Sequence, residues 1–204
     1  MAYNVDREPA QWVGRQARRH GRGMYFIVGL LGLVALVSLL LALSRTLIGG
    51  VAVLVAVALL KAIGERKLEL AVRWRRGWAA EKSVGDELNR LRREGFIVMH
   101  DVAQRGEGNI DHVVSGPTGA YLIETKAGGY QADQLLKARR QAAKLQVELG
   151  TWVTPVICLD NRDAKPFRHD RVWIVPRQHL VAWIGAQRNR QVPFERLASY
   201  ADTL

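Results

Sequence analysis

The sequence predicts an α/β domain with a mixed sheet, preceded by two transmembrane α-helices. Two long apolar runs lie near the N-terminus of the 204 residues, and strand-like and helical segments alternate after them. Three strand-like segments follow one another before the next helix, which indicates a meander followed by a crossover. The single cysteine, Cys158, excludes an intramolecular disulfide and a cysteine zinc cluster.

The first element is a membrane hairpin over residues 24–63. Met24 to Leu43 is a run of twenty residues without a charge, and at about 1.5 Å per residue it matches a hydrocarbon core of roughly 30 Å. Leu47 to Ile63 is shorter and spans the bilayer if Lys61 extends its amine to the headgroups. We therefore expect two spans joined by a very short connection.

Basic residues flank this hairpin on both sides. Arg15, Arg18, Arg19 and Arg22 precede the first run, five Lys or Arg residues follow the second within 64–76, and Arg45 alone lies between the two runs. The positive-inside rule then predicts a multi-pass cell-membrane protein whose N-terminus and C-terminal domain are both cytoplasmic. These cations could instead bind nucleic acid, but we favour anionic lipid as their partner.

The elements of the soluble domain, residues 77–204, follow from periodicity and from glycines at their ends. A juxtamembrane helix over 64–76 leads into it, and the stripe Glu81, Val84, Leu88 and Leu91 marks one helical face. The predicted elements are a helix over Glu65–Glu94 capped by Gly95, strands over Phe96–Val102, Asn109–Ser115 and Ala120–Lys126, a helix over Gln131–Leu149, strands over Trp152–Leu159 and Arg171–Val175, and helices over Gln178–Gln187 and from Phe194.

Ionisable residues interrupt two otherwise apolar strands, which is costly unless they are paired or bind an ion. If the hairpin loop has two residues, Asp111 lies directly across from Glu124, about 5 Å away. A hard divalent cation would relieve the repulsion between these carboxylates. Lys126 projects from the same face as Glu124. Two alternatives stay open: a bulge at Gly119 that separates the carboxylates, and a purely structural Glu124–Lys126 pair.

Three segments together resemble a known family: GNIDHVVSGPTGAYLIETK, the preceding helix GWAAEKSVGDELNRL, and the strand FIVMHDV. They are similar to the nuclease-related domain (NERD) of the PD-(D/E)xK phosphodiesterase superfamily, over about Gly77 to Asp160. The resemblance implies a restriction-endonuclease-like core. It also implies Asp111 and Glu124 as Mg²⁺ ligands, with Mn²⁺ as a substitute, and Lys126 as the residue that activates water or stabilises charge.

The resemblance implies further site residues on two helices. The family's helix glutamate corresponds to Glu81, within Ala80-Glu81 where relatives have Gly-Glu, and we expect it to be catalytic and a third metal ligand. Glu87 is the competing candidate and is expected to be solvated. A family glutamine corresponds to Gln134, which we expect in the catalytic site, with Gln141 as the second match.

Further positions on the second helix are candidates for substrate contact. These are Lys137, Arg140, Gln141 and Lys144, which would bind phosphates; equally, the charged ones could form an ordinary solvated face. His112 is expected to be a packed histidine, and the tryptophans beyond Gly150 are expected in the core.

The sequence as a whole predicts a membrane-anchored, Mg²⁺-dependent nuclease that hydrolyses nucleic-acid phosphodiester bonds, with DNA expected in preference to RNA. The retention of Asp111, Glu124 and Lys126 together favours an enzyme. The alternative is a catalytically silent NERD-fold module that binds nucleic acid or a protein partner at the membrane.

Overall fold

The computed structural model describes residues 29–30, 32–40, 47–104, 106–160 and 162–188. The chain divides into two compact units between Arg76 and Gly77. The elements are α1 (Leu47–Leu88), a 3₁₀ helix (Asn89–Glu94), β1 (Ile97–Gln104), β2 (Gly108–Gly116), β3 (Gly119–Lys126), α2 (Ala132–Leu149), β4 (Val153–Leu159), β5 (Phe167–His169), β6 (Val172–Pro176) and α3 (Arg177–Ala186).

The N-terminal unit is helical where it is described. Residues 29–30 and 32–40 are helical, and the second apolar run forms the start of α1. The tail 1–23, both ends of the first predicted span, the connection between the runs and several side chains of the second run lie outside the described residues. Among the residues that are described, no helix combines the length and the apolar character needed to cross a membrane.

The C-terminal unit contains a six-stranded mixed sheet in the order β1-β2-β3-β4-β6-β5. β1, β2 and β3 form the predicted antiparallel meander, and β4 and β6 then add parallel to β3. The α/β class with a mixed sheet is therefore confirmed. β5 was not predicted, because its three residues are all exposed at the sheet edge and carry no buried apolar face.

Helices pack on this sheet through the predicted apolar stripes. Val84 and Leu88 of α1 and Leu91 of the 3₁₀ helix are completely buried. Gly95 ends that segment with a φ of +81°, the left-handed conformation in which glycine carries no steric penalty. α2 buries Ala138, Ala142 and Leu145 in a cluster that also holds Val113 and Leu122 of the meander. The helix predicted from Phe194 lies outside the described residues.

Candidate active site

The β2–β3 hairpin has the register that brings two carboxylates together. Gly116 pairs with Gly119 across the Pro117-Thr118 loop, and the pairing continues to His112 opposite Ile123. The next position along the two strands holds Asp111 and Glu124. The predicted two-residue loop is therefore confirmed, and the alternative bulge at Gly119 does not form.

Contacts beyond the hairpin hold this turn in place. The Thr118 hydroxyl donates to the Ile184 carbonyl of α3 at 2.9 Å, and the Tyr121 hydroxyl donates to the Thr118 carbonyl at 2.7 Å. A Cβ atom at Gly116 would overlap the Phe96 ring, so only glycine fits at this position. Because a register shift of one residue would break these contacts, the turn fixes the relation of Asp111 to Glu124.

The strands become irregular where the carboxylates lie. The Thr125 amide donates to Asp111 Oδ2 at 2.7 Å, so a side chain takes up a backbone donor at the end of the β2–β3 pairing. On β1, the position between the pairs His100–His112 and Val102–Ile110 holds Asp101, which has a φ of +54°. A non-glycine residue in that conformation is strained, and such strain is concentrated at functional sites.

The distribution of buried side chains over the two faces of the sheet shows the same irregularity. Strict strand alternation would send residues three apart to opposite faces. Two such pairs instead share the core cluster of α2: Met99 with Val102, and Ile110 with Val113. The alternation of both strands is therefore interrupted around Asp101 and Asp111. The sequence analysis missed Asp101, whose one visible signal was a carboxylate in an apolar strand.

Two lysines neutralise Glu124. Lys126 Nζ lies 2.8 Å from Glu124 Oε1, and Lys137 Nζ of α2 lies 3.3 Å from the same oxygen. Glu124 is 5% exposed, and its other oxygen, Oε2, is buried without a hydrogen-bond partner in the described part of the chain. Lys137, predicted as a phosphate contact, therefore lies beside the carboxylates.

Glu81 of α1 faces the same group of charges. It is 5% exposed, and its Oε1 atom is buried with no hydrogen-bond partner among the described residues. Burial raises its pKa to about 9, with further contributions from the negative charges of Asp111, Asp101 and Glu124. Its position on the buried stripe with Val84 confirms that part of the prediction. Glu87, the competing candidate expected to be solvated, is instead half-buried and pairs with Arg90 at 2.8 Å and with Arg177 at 3.7 Å.

Asp111 and Lys126 respond to this environment in different ways. Burial, followed by the charge of Glu124, raises the pKa of Asp111 to about 7, although Lys126 and the Thr125 amide oppose the shift. Burial alone would lower the pKa of Lys126, but the charges of Glu124 and Asp111 outweigh it and the pKa is raised. Lys126 is therefore an ammonium ion at neutral pH, suited to stabilising negative charge.

The chemistry of this donor set fits a hard divalent cation. Carboxylate oxygens are the donors that Mg²⁺ and Mn²⁺ favour, and Glu81 Oε1 and Glu124 Oε2 are both buried without partners among the residues that the structure describes. Within the described ranges, no three His, Cys, Asp or Glu side chains are arranged as a preformed metal-binding group. The ammonium groups of Lys126 and Lys137 supply positive charge beside Glu124.

Neither predicted glutamine joins the carboxylates by a hydrogen bond. Gln134 lies in the first turn of α2, where its Oε1 accepts from the Gln131 amide at 3.1 Å as part of a capping box. Gln141 is completely buried, and its Nε2 donates to the carbonyls of Glu107 and Asn109. Gln141 therefore holds the loop before β2, which differs from the substrate contact predicted for it.

The other predicted substrate-binding residues lie on exposed or half-buried faces of α2. Arg140 is exposed and pairs with Glu107 at 3.4 Å, and Lys144 is half-buried one turn further along. Trp152, expected in the core, is instead 59% exposed just after α2 ends. Its ring is exposed to solvent, and the strand β4 begins at the next residue, Val153.

A buried histidine pair lies next to the acidic residues. His100 and His112 are 3% and 0% exposed, and their Nδ1 atoms are 2.8 Å apart. Asn89 Oδ1 accepts from Arg92 Nε and lies 3.2 Å from His100 Nε2. His100 therefore donates through Nε2 and accepts through Nδ1, so that His112 donates through Nδ1.

Both rings of this pair are neutral. Burial, with a smaller effect from Arg92, lowers the pKa of His100 to about 4. Burial and then the neighbouring His100 lower the pKa of His112 well below its ordinary value. The prediction that His112 is a packed histidine is confirmed.

Comparison with known proteins agrees with the family resemblance in one segment. Residues 76–160 match the family model of the nuclease-related domain, NERD. No curated protein matches the chain.

Two solved structures are similar in part. A repair endonuclease from Pyrococcus abyssi is 18% identical, with 56% of this chain and 47% of that chain covered and a TM-score of 0.34. An EndoMS–dsDNA2 complex is 15% identical, with 54% and 46% covered and a TM-score of 0.31. The chain thus spans about half the length of either structure.

Proposed function

We propose that this protein is a membrane-anchored, metal-dependent nuclease that hydrolyses phosphodiester bonds of nucleic acid. One observation carries the proposal: Glu81, Asp111, Glu124 and Lys126 converge in a buried cluster inside the segment that matches the nuclease-related domain. A cluster of carboxylates with raised pKa values beside a charged lysine is typical of an active site. We take DNA as the favoured substrate and RNA as the alternative that the assay below separates.

The residues of the cluster have different roles in the proposed reaction. Asp111, Glu124 and Glu81 hold Mg²⁺ or Mn²⁺, and Lys126 stabilises the negative charge that develops on the phosphate. A bound divalent cation would polarise the phosphodiester and increase the acidity of a water molecule. The Thr125 amide, which donates to Asp111 at 2.7 Å, keeps that carboxylate oriented.

Membrane anchoring is the second part of the proposal and is supported mainly by the sequence. The two apolar runs and the basic residues on either side favour a hairpin with both ends in the cytoplasm. Large apolar side chains also lie exposed on these helical segments, for example Leu33 at 58% and Leu54 at 71%. Exposed apolar surface of this kind is characteristic of a membrane or protein contact.

One observation favours the alternative, a catalytically silent binding module. Lys126 and Lys137 already neutralise Glu124, so the cluster could act as a structural ion-pair network without a metal. A module of that kind would bind nucleic acid or a protein partner at the membrane and cleave nothing.

A cleavage assay separates these functions. The purified full-length protein in detergent is incubated with labelled single- and double-stranded DNA and RNA, in Mg²⁺, Mn²⁺ or EDTA. We expect cleavage with the metals and none in EDTA, loss of cleavage in Glu124→Gln, and retention in the control Glu87→Gln, whose carboxylate pairs with Arg90. Tight binding without cleavage in any condition would replace the nuclease with the binding module.

Membrane topology is tested separately. Reporter fusions after Arg22 and after Leu204 should both give a cytoplasmic signal, because the cations flank both apolar runs on that side. A C-terminal reporter on the other side of the membrane would contradict the hairpin and would separate the site from intracellular nucleic acid.

A further inference from the structure

We propose that a groove beside α2, which we call the Trp152 groove, binds a single-stranded segment of the nucleic-acid substrate. The proposal rests on the nuclease function above and concerns how the substrate is held. The groove has a volume of about 400 Å³, within the range of about 300–1,000 Å³ usual for ligand sites. Its walls come from α2, from the start of β4 and from the β5–β6 hairpin.

The floor of the Trp152 groove is apolar and open to solvent. Leu136 is 47% exposed and Trp152 is 59% exposed, and Ala143 is also exposed, whereas Val153 and Pro155 line the groove from buried positions of β4. A flat aromatic base could stack on the Trp152 ring.

The position of Trp152 is rigid for an exposed residue. The helix α2 ends at Gly150, which has a φ of +61°, and the Thr151 amide returns a hydrogen bond to the Gln146 carbonyl. Val153 then enters β4 and pairs with Ala120 of β3. The backbone that carries the Trp152 ring is thus held between a capped helix and a sheet strand.

Four arginines surround this apolar floor. Arg139 and Arg140 come from α2, and Arg168 and Arg171 come from the β5–β6 hairpin. Arg139 is paired with Asp170 at 2.7 Å and Arg140 with Glu107 at 3.4 Å. The guanidinium groups of Arg168 and Arg171 have no carboxylate partner in the described part of the chain, so they remain available for phosphate.

One of these arginines, Arg171, has an unusual backbone conformation. Asp170 and Arg171 form the two-residue turn between β5 and β6 with φ values of +44° and +64°. Turns of this type normally carry Asn-Gly, because most residues are disfavoured there. Arg171 occupies the position where glycine is preferred, and a strained residue at a ligand-facing site is a recognised sign of function.

These features favour a single strand over a duplex. A duplex keeps its bases stacked inside, so it would contact the arginines and leave the apolar floor uncovered. A single strand presents phosphates and base faces together, which matches arginines around an exposed tryptophan.

Binding without cleavage tests this proposal. Fluorescence anisotropy is measured in EDTA on the full-length protein in detergent, with a labelled single-stranded oligonucleotide and a duplex of the same sequence. Trp152→Ala should weaken single-strand binding by roughly fivefold to a hundredfold, the scale of one lost stacking contact, and should change duplex binding little. Trp152→Phe should retain most of the affinity.

Two further variants test the role of the arginines and the specificity of the effect at Trp152. Removing Arg168 and Arg171 together should reduce the salt dependence of single-strand binding by about two phosphate contacts. The control Val147→Ala changes an apolar side chain that is 81% exposed on α2 but does not line the groove, and it should bind as the parent does.

The results distinguish this proposal from the nuclease proposal. If Trp152→Ala binds single strands as tightly as the parent, or if the parent prefers the duplex, the groove proposal is overturned even when cleavage is observed. If Trp152→Ala loses single-strand affinity while the parent cleaves nothing with any metal, the groove stands and the nuclease proposal falls.

Discussion

Asp111 and His112 are neighbours on β2, yet they belong to two buried polar clusters of opposite character. The acidic cluster crowds negative charges together, so burial and repulsion raise the pKa values of Glu81 and Asp111 to about 9 and about 7. In the histidine pair, burial lowers the pKa of His100 to about 4. Burial therefore favours bound protons on Glu81 and Asp111 and the loss of protons from the histidines.

The difference shows which buried polar group is a functional candidate. The histidines become neutral by giving up protons, and they share a 2.8 Å hydrogen bond. His112 Nε2, like Glu81 Oε1 and Glu124 Oε2, is buried without a partner in the described structure, so the orphaned atoms do not separate the two clusters. The difference lies in charge, because the acidic cluster needs protons, lysines or an external cation. Burial alone is therefore weak evidence of function, whereas unrelieved charge of one sign is stronger evidence.

The largest expected effect concerns the two lysines that contact Glu124. Lys126→Ala should lower cleavage by two or more orders of magnitude, because a positioned charge is lost from the chemical step. Lys137→Ala removes the longer contact, 3.3 Å against 2.8 Å, and should lower cleavage by less than about tenfold. Single-turnover cleavage rates measure both.

His100→Gln is the matched variant in the other cluster. It should change the stability of the protein but leave the cleavage rate of the folded protein within about threefold of the parent, since the histidine pair takes no part in the chemistry. Equal losses in Lys126→Ala and His100→Gln, at equal folded fractions, would remove the distinction between the clusters.

The next effect is stabilisation by metal. Adding Mg²⁺ at about a hundred times its Kd should raise the unfolding free energy by about 2.7 kcal/mol, because the ion binds the native state alone. Asp111→Asn and Glu124→Gln should abolish the gain, whereas Glu87→Gln should preserve it. Thermal unfolding with and without Mg²⁺ provides the measurement. A gain that survives in both site variants would place the ion elsewhere.

The smallest effect is the pH dependence of stability in EDTA. Glu81 and Asp111 have folded pKa values above their ordinary 4.5 and 3.8, so they favour the folded state at low pH and lose this contribution as pH rises to about 9. His100 has a folded pKa of about 4 against 6.5, so its contribution is lost as pH falls through that window. Below pH 6.5 the two contributions change the free energy of unfolding in opposite directions as pH rises. Above pH 6.5 only the decline from the carboxylates remains.

Variants separate these slopes. Glu81→Gln should flatten the decline between pH 6.5 and 9. His100→Gln should reduce the opposing contribution below pH 6.5 without removing it, because burial also lowers the pKa of His112. Urea unfolding at a series of pH values gives the free energies. A parent protein whose stability rises steadily from pH 6.5 to 9 would contradict the raised pKa values.

The sequence was sufficient for features that repeat along the chain. The meander, the crossover, the Gly95 and Gly150 helix ends and the buried stripe from Val84 follow from periodicity and glycine positions. The register of the β2–β3 hairpin also followed as far as His112 opposite Ile123, because the hairpin loop has two residues and the pairing can be counted from it.

Features that depend on tertiary contacts were not predicted. The φ of Asp101 and the interrupted alternation around it arise from strand pairing, which no local pattern encodes. Gln141 was expected at the substrate, but the loop before β2 offers it carbonyl acceptors that the sequence does not reveal. Trp152 was expected in the core because apolar residues usually are buried, and only the fold reveals that the ring faces a groove.

Proton release on metal binding tests the central claim, that the acidic cluster is a metal site, most directly. Mn²⁺ is titrated calorimetrically into the metal-free full-length protein at pH 7, in two buffers of different ionisation enthalpy. Glu81 with a pKa of about 9 is protonated there and Asp111 with a pKa of about 7 is half protonated. Ligand carboxylates must lose their protons, so between one and two protons should be released per ion, and fewer than one in Glu81→Gln. Binding without proton release, or the absence of binding, would contradict the account.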